Sequence, residues 1–500
     1  MTKIVYVPLD DRPCNLKLPQ KLAAIAGAEL LVPPKEFLGH FNCAGDCEKV
    51  IEWLKEVVPR ASLAVISVEM IAFGGLVASR RSEETTENTR RRLQSLAALK
   101  EKNPDLQLAL FTLIMKSSSM APPDMDENDW KKIFKYSQLL DKVETFDLLD
   151  DRVDLGRLEK SLPQEQLKCY MAIRKRNHEV NLMALKLLSD GTAQYLVIGE
   201  DDAVRHGLHK KEKRLLESII DEKKLADRVK LICGADELGM MLVGRALIGD
   251  YCPKVKIIAS NDEWLGEVST YEDVPLEDSI DGHIDAIEAT RVNADDEADL
   301  LLFINCPVGK QHDLFLEGAV AKTRDYSGFV EAIRKASDAG KQVSVVDLNY
   351  VNGFDPLFME ALLSGADIHK ISAVSAWNTS SNSIGAALAH SFLNLFLRNS
   401  EADGWKVKSR LYFLERIIDD YLYQGLLRGR ISEDLYKRDV SASDLRDKLH
   451  AVEWVVKKEL DQMAGSFIDK HFRDLRQKRP RVDISLPWPR IFEVDVNVSC

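Results

Sequence analysis

The sequence predicts an α/β fold, either a (β/α)8-like barrel or an open doubly wound sheet, with a helical C-terminal region. The first observation behind this prediction is a series of short runs rich in β-branched residues, in which apolar residues are continuous rather than alternating. Continuous apolar runs are typical of strands buried on both faces, as in a parallel sheet covered by helices. The runs span residues 4–8, 63–68, 107–114, 195–198, 229–233, 255–259, 300–305, 343–347 and 371–376, with a weaker one at 29–32.

The second observation is the spacing of apolar residues between these runs, which follows the three-to-four period of an amphipathic helix, as in residues 164–189 and 215–226. The alternation of strand and helix continues to about residue 395, and the pattern then becomes mostly helical until a strand-like run at 491–496. The number of predicted strands is more than a single barrel needs, and we therefore expect insertions or a small extra α/β unit. We therefore predict a barrel-like catalytic domain over residues 1–399 and a helical region with a final strand over residues 400–500.

Composition excludes several classes of function. The chain has 500 residues and a formal net charge of −12, without a basic patch, which disfavours binding to nucleic acid or to an anionic membrane. No apolar run is long enough for a membrane span, and the first residues do not resemble a signal peptide. The eight scattered cysteines indicate a reducing compartment, so we expect a cytoplasmic enzyme with a small-molecule or oligosaccharide substrate. The sequence leaves the oligomeric state open, a homo-oligomer included.

Polar or aromatic residues follow nearly every predicted strand. In parallel α/β folds the ligand binds at the carboxyl ends of the strands, so these residues are candidates for a pocket that takes a hydroxyl-rich ligand. Turn formation and helix capping are the competing interpretations, and capping is at least as good for Asp236. The candidate binding residues are Asp10, Asp11, Arg12, Glu69, Asp236, Asn305, Asp347, Asn349, Trp377 and Asn378.

Three consecutive acids, Glu200, Asp201 and Asp202, come directly after the apolar run that ends at Gly199. Repulsion between buried carboxylates raises the pKa of at least one of them, as a general acid at neutral pH requires. The alternatives are a metal site and an N-cap for the segment after Ala203. We favour a catalytic role for all three acids, because perturbed carboxylates concentrate at functional sites.

The residues fit three hypotheses. We prefer a glycoside hydrolase, which needs two carboxyl groups and a set of hydrogen-bonding side chains and no cofactor. The second hypothesis is a metal-dependent sugar-phosphate or nucleotide hydrolase, in which Asp10, Asp11 and the acidic run hold Mg²⁺ while Arg12, Arg80 and Lys116 meet a phosphate. The third is a non-catalytic sugar-binding protein. A serine-hydrolase motif, a phosphate-binding glycine loop and zinc-ligand spacing are all missing from the sequence.

Two resemblances bear on these hypotheses. An acid pair at the end of the fourth strand, together with Asn305-Cys306-Pro307-Val308, resembles barrel hexosaminidases, which implies that Asp201 orients the substrate's acetamido group and Asp202 protonates the leaving oxygen. Five ordered motifs resemble the bacterial domain-of-unknown-function family numbered 4127, which implies only that they belong to one site. They cover residues 6–15, 74–80, 199–203, 234–237 and 377–379.

Overall fold

A computed structural model gives the fold of the chain. It describes residues 2–81, 84–117, 125–314, 324–400, 404–476 and 480–500, without the side chains of residues 474 and 476. Residues 401–403, directly after the predicted domain boundary, lie outside the described residues. None of the described helices is both long enough and apolar enough to cross a membrane.

The first sheet has six parallel strands, numbered along the chain. Their order across the sheet is β2-β1-β3-β4-β5-β6. β2 lies on one side of β1, and the later strands follow in chain order on the other side. The buried faces of these strands consist of the continuous apolar runs that the sequence showed. The strands are β1 Lys3–Val7, β2 Glu29–Leu31, β3 Leu63–Ser67, β4 Gln107–Ile114, β5 Tyr195–Glu200 and β6 Val229–Cys233.

The second sheet has five parallel strands in the order β13-β11-β9-β7-β8, which repeats the winding of the first sheet. Two further pairs are small: β10 with β12 in parallel, and β14 with β15 in antiparallel orientation. The remaining strands are β7 Lys254–Ala259, β8 Thr290–Arg291, β9 Leu300–Asn305, β10 His312–Asp313, β11 Gln342–Asp347, β12 Tyr350–Val351, β13 Ile371–Ser375, β14 Arg481–Ser485 and β15 Asp495–Ser499.

Helices connect the strands, and several begin at a side chain that caps the first turn. Asp46, Thr85 and Asp126 each accept a hydrogen bond from a backbone N–H of the helix that follows. A π-helix at Ile417–Leu427 continues α15 directly into α16. The helices are α1 Lys17–Ile25, α2 Cys47–Val57, α3 Val68–Phe73, α4 Leu76–Ser79, α5 Thr86–Lys102, α6 Glu127–Phe146, α7 Leu149–Glu159, α8 Gln164–Ser189, α9 Leu208–Glu222, α10 Leu238–Ile248, α11 Leu276–Ala286, α12 Ser327–Asp338, α13 Pro356–Gly365, α14 Ser380–Leu397, α15 Trp405–Arg416, α16 Arg428–Lys437, α17 Leu449–His471 and α18 Arg473–Arg476.

The α/β class with parallel sheets is confirmed, but the barrel is not. Across the described ranges, the two larger parallel sheets are both open, and no closed barrel is formed. Each of the two larger sheets is open, and its strand order reverses once, as in the open-sheet alternative that the sequence allowed. Continuous apolar runs report burial on both faces, which a barrel strand and a doubly wound strand share, so periodicity alone did not separate the two folds.

The chain divides into two compact units. The first contains residues 1–11, 29–242 and 267–282, and the second contains residues 12–28, 243–266 and 283–500. The predicted boundary at residue 399 therefore falls inside the second unit. The reason is a shared hydrophobic core, in which Phe303 and Val345 of the second sheet belong to the same cluster as Tyr421, Val456 and Val496 from the C-terminal region.

Candidate functional site

The acidic run at the end of β5 is held in a fixed backbone conformation. The Asp201 N–H donates to the Ile114 carbonyl oxygen at 3.3 Å, and the Asp202 carbonyl oxygen accepts from the Ser117 N–H at 3.0 Å. Asp202 has a φ of 29°, a left-handed conformation that few residues other than glycine adopt. Strained backbone of this kind persists only where the surrounding structure enforces it, and it concentrates at functional sites.

Two of the three acids pair with basic side chains, Arg80 at the end of α4 and Lys116 just after β4. Arg80 donates to Asp201, and the Lys116 ammonium lies 3.5 Å from Asp202 Oδ2. The Asp202 side chain is 23% exposed, whereas that of Asp201 is only 7% exposed, so Asp202 is the acid that a substrate reaches more easily. Loss of hydration raises the pKa of Asp202, with the charge of Lys116 acting in the opposite direction.

The third acid, Glu200, is buried and belongs to a different cluster. The Lys213 ammonium donates to Glu200 and lies 3.4 Å from Asp273 Oδ1, and the Cys233 thiol donates to the same Asp273 oxygen at 3.3 Å. Burial raises the pKa of Glu200, and Lys213 opposes this shift. Glu200, Cys233 and Asp273 bring potential metal-ligand atoms within 4.8 Å of one another, but the Lys213 ammonium already provides a cation there.

Glu69 lies in the first turn of α3, behind the acidic run. Its Oε1 accepts from the Leu113 N–H at 2.8 Å and from the Thr112 hydroxyl at 2.9 Å, so the side chain fastens α3 to β4. Burial raises the pKa of Glu69 to about 7. These contacts favour a structural role over direct substrate binding.

Asp10 and Asp11 follow β1, and both are buried. Asp11 Oδ2 lies 2.8 Å from His40 Nδ1 and 3.4 Å from the Lys35 ammonium. Asp236, at the end of β6, is also buried and precedes α10 by two residues, at the place where an acid favours a helix N-terminus.

The candidates Asn305, Asp347 and Asn349 lie in the second unit and hydrogen-bond to one another or to their own loop. Asp347 accepts from the Asn305 side-chain amide at 2.8 Å, from the Asn349 N–H at 3.0 Å and from the Asp355 N–H at 2.7 Å. The Asn349 amide in turn donates to Asp355 at 2.8 Å, and Arg324 donates to Asn349 Oδ1 at 2.9 Å. Since these groups satisfy one another, they fix the loop after β11, and sugar binding by them has no direct support.

Three more candidates lie in the same unit. Trp377 is buried, with its ring centroid 6.5 Å from that of Phe492, so its ring packs in the interior. Asn378 has a φ of 61°, and Thr379, rather than Asn378, is the N-cap of α14. The Arg12 guanidinium lies over the Trp488 ring, 5.0 Å from its centroid.

The structure thus brings Asp10, Asp11, Glu69, the acidic run and Asp236 to the carboxyl ends of one sheet, in the first unit. The other candidates belong to the second unit, so the prediction of one ring of strand ends, which depended on the barrel, is not confirmed. Sequence reasoning missed His40, Lys213 and Asp273. The sequence argument favoured residues that follow the predicted strands, whereas these three lie in later loops or on a helix.

Comparison with known proteins gives little information on activity. No curated protein matches the chain. One solved structure, titled "Structure of Cobalamin-dependent S-adenosylmethionine radical enzyme OxsB with aqua-cobalamin bound", aligns at 11% identity with a TM-score of 0.18, covering 88% of this chain and 62% of that one. The profile of one family, described as a protein of unknown function (DUF4127), matches residues 4–497. The resemblance in the five motifs is therefore confirmed over nearly the whole length, and the chain belongs to the DUF4127 family.

Proposed function

We propose that the protein is a glycoside hydrolase acting on a small glycan or glycoconjugate in the cytoplasm, with Asp202 as the general acid. The observation that carries the proposal is the contrast between two adjacent carboxyl groups. Asp202 is reachable and has a raised pKa, while its neighbour Asp201 is buried and paired with Arg80. Glycoside hydrolysis uses two carboxyl groups in different environments, and an acid with a raised pKa next to an acid held by an arginine fits that requirement.

In the proposed reaction, Asp202 donates a proton to the glycosidic oxygen as the bond to the sugar breaks. Asp201 orients the substrate or stabilises positive charge that develops on the sugar, and Arg80 holds the Asp201 carboxylate in place. An N-acetylhexosaminide is the first substrate to try, because its acetamido group offers an internal nucleophile that Asp201 can orient.

The second candidate is the metal-dependent hydrolase. Arg80 and Lys116 already place positive charge next to Asp201 and Asp202, so the chain itself provides what Mg²⁺ would provide at the acidic run. This pairing favours the metal-free mechanism. The same two basic groups also fit the phosphate of a sugar phosphate, which keeps this candidate in the test.

The test is hydrolysis of a panel of aryl glycosides, N-acetylhexosaminides included, by the wild type, Asp201→Asn and Asp202→Asn, each with and without EDTA. Asp227→Asn is the matched control, because that carboxylate is exposed and carries the same substitution. We expect turnover that survives EDTA and falls by roughly a hundredfold or more in Asp202→Asn, the usual size of a general-acid contribution.

Loss of activity in EDTA, restored by Mg²⁺, would move the assignment to the metal-dependent hydrolase. Equal rates for the wild type and Asp202→Asn would remove Asp202 from its role. Binding of a sugar without turnover would point to the third hypothesis, a sugar-binding protein.

A further inference from the structure

Lys116 is a lysine whose side chain and backbone are both held beside the acidic run. Its nitrogen lies 3.5 Å from Asp202 Oδ2, and the Lys116 and Asp202 side chains are 18% and 23% exposed. The two groups therefore face each other where both reach solvent. An amine beside a carboxyl group is a pair that converts a ketone or an aldehyde to an iminium ion, because the amine is the nucleophile and the carboxyl group moves the protons.

Hydrogen bonds fix the backbone on both sides of the Lys116 side chain. The buried Arg174 guanidinium donates to the Lys116 carbonyl oxygen at 2.9 Å. The Glu212 carboxylate accepts two hydrogen bonds from the same guanidinium, at 2.8 Å and 2.7 Å, and so holds it in place. The next residue, Ser117, donates its N–H to the Asp202 carbonyl oxygen at 3.0 Å, which connects the backbone of the lysine directly to that of the acid. The amine and the carboxyl group are therefore held close together, as a reaction between positioned groups requires.

The surroundings of Lys116 shift it toward its unprotonated form. Burial lowers the pKa of Lys116, and the charge of Arg80 acts in the same direction, while Asp202 and Asp201 oppose the shift. A lowered pKa beside a second cation is one of the ways in which proteins make a lysine nucleophilic. Burial also raises the pKa of Asp202, which favours its protonated form. The neutral amine and the protonated carboxyl group are the forms that begin the reaction below.

We propose that Lys116 and Asp202 catalyse proton exchange at the α-carbon of a small hydroxylated ketone or aldehyde through an iminium ion. Lys116 Nζ bonds to the carbonyl carbon while Asp202 gives its proton to the carbonyl oxygen. The Asp202 carboxylate then takes a proton from the nitrogen and passes it to the new hydroxyl group, which leaves as water when the C=N bond forms. Asp202, again a carboxylate, removes a proton from the α-carbon to give an enamine. Return of a proton to that carbon, followed by hydrolysis of the iminium ion, releases Lys116.

The neighbouring ion pair indicates the class of substrate. The partly exposed Arg80 donates to Asp201 at the same edge of the sheet. A guanidinium group and a carboxylate next to one another offer a donor and an acceptor to a hydroxyl group, so a ketone or an aldehyde with a hydroxyl group beside its carbonyl carbon fits this site. This activity goes beyond the proposed hydrolysis and does not depend on it, although both use Asp202.

The first experiment incubates the full-length wild type with dihydroxyacetone and sodium cyanoborohydride, which reduces an iminium ion to a stable adduct, and locates the adducts by mass spectrometry of peptides. Lys210 is the matched control in the same protein, because its side chain is 22% exposed and its ammonium lies 2.5 Å from the Asp273 carboxylate. Although burial acts in the opposite direction, Lys213 and Lys210 lower the pKa of Asp273, so that carboxylate holds no proton to donate. We expect adducts to form roughly a hundredfold faster at Lys116 than at Lys210, which is the size of a general-acid contribution.

The second experiment uses NMR to measure deuterium incorporation into dihydroxyacetone in heavy water by the wild type, Lys116→Arg and Lys210→Arg. Arginine keeps a positive charge beside Asp202 but does not lose a proton to become a nucleophile, so we expect Lys116→Arg to slow the exchange by roughly a hundredfold or more and Lys210→Arg to match the wild type. Neither experiment breaks a glycosidic bond, so the failure of this proposal is distinguishable from the failure of the proposed hydrolysis. Adducts that form equally fast at Lys116 and Lys210, or exchange that is equal in the wild type and Lys116→Arg, would overturn the proposal.

Discussion

Glu69 allows a quantitative test of how burial controls charge beside the acidic run. Its Oε1 accepts two hydrogen bonds, its Oε2 has no hydrogen-bond partner among the described residues, and burial raises its pKa to about 7 from an ordinary value of 4.5. Because the pKa is higher in the folded state, folding favours the protonated form of Glu69. This contribution to stability is fully present below about pH 4.5 and is lost as the pH rises through about 7.

The magnitude follows from the two pKa values. A difference between 4.5 and about 7 corresponds to roughly 3 kcal/mol of unfolding free energy, at about 1.4 kcal/mol for each pKa unit. Glu69→Gln keeps an oxygen that accepts from Leu113 and Thr112 but removes the titration. Between pH 4.5 and pH 8, we therefore expect the unfolding free energy of the wild type to fall by roughly 3 kcal/mol more than that of Glu69→Gln.

The assay is urea unfolding followed by tryptophan fluorescence at a series of pH values. The comparison of the two proteins at each pH isolates Glu69 from other buried acids, which titrate in both. Glu217→Gln is the matched control, since Glu217 is exposed on α9, and its unfolding curve should follow the wild type at every pH. If the stabilities of the wild type and Glu69→Gln change in parallel with pH, Glu69 is charged in the folded protein at neutral pH and the reasoning fails.

Three further predictions concern the first unit. If the proposed glycosidase activity is found, Lys116→Met should move its alkaline fall to higher pH, because the Lys116 ammonium lowers the pKa of Asp202; an unchanged pH profile would contradict this. Lys213→Met removes the cation that pairs with the buried Glu200 carboxylate, whereas Lys210 still pairs with Asp273, so we expect the unfolding free energy measured in urea to fall by roughly 3–5 kcal/mol. Added Zn²⁺ should raise the melting temperature of Lys213→Met part of the way to that of the wild type and leave the wild-type melting temperature unchanged. Equal shifts in the melting temperatures of both proteins would refute this. Gly39→Ala should lower stability by roughly 1–3 kcal/mol, since its Cβ meets backbone at 2.3 Å, whereas Gly156→Ala, which meets nothing within 4 Å, should not.

The sequence predicted the strands more reliably than their arrangement. Each apolar run predicted before residue 399 corresponds to an observed strand, because continuous burial on both faces is a local property of the residues. The last strand was predicted at 491–496 but lies at Asp495–Ser499, where it pairs with β14. The division into two sheets depends on which strands pair across long stretches of chain, and no residue in the runs encodes that. The C-terminal helices were recognised from their period, but their membership in the core around Phe303 is a tertiary property.

The candidate site was also predicted only in part, because some of its residues meet only through tertiary packing. The acidic run at 200–202 stands out in the sequence because three acids after an apolar strand are rare, and the structure places two of them beside Arg80 and Lys116. His40 carries no such signal. It lies in a loop after the short strand β2, where Gly39 packs against Gly74 and accepts a hydrogen bond from the Asp11 N–H, and these contacts place His40 beside Asp11.

The two sheets share one winding order, but the polar side chains at their points of reversal differ in exposure to solvent. In the second sheet, where β7 and β9 meet, the Ser260 hydroxyl contacts the Asn305 side chain at 3.3 Å and accepts from the Cys306 N–H at 2.9 Å. Asn305 then donates to Asp347, so these polar groups satisfy one another within the loop. A polar residue at a strand end is therefore a weak indicator of function by itself. At the point of reversal in the first sheet, the Asp11 carboxylate contacts the half-exposed imidazole of His40. Because His40 is exposed, the carboxyl edge of the first sheet is the better candidate for a binding site.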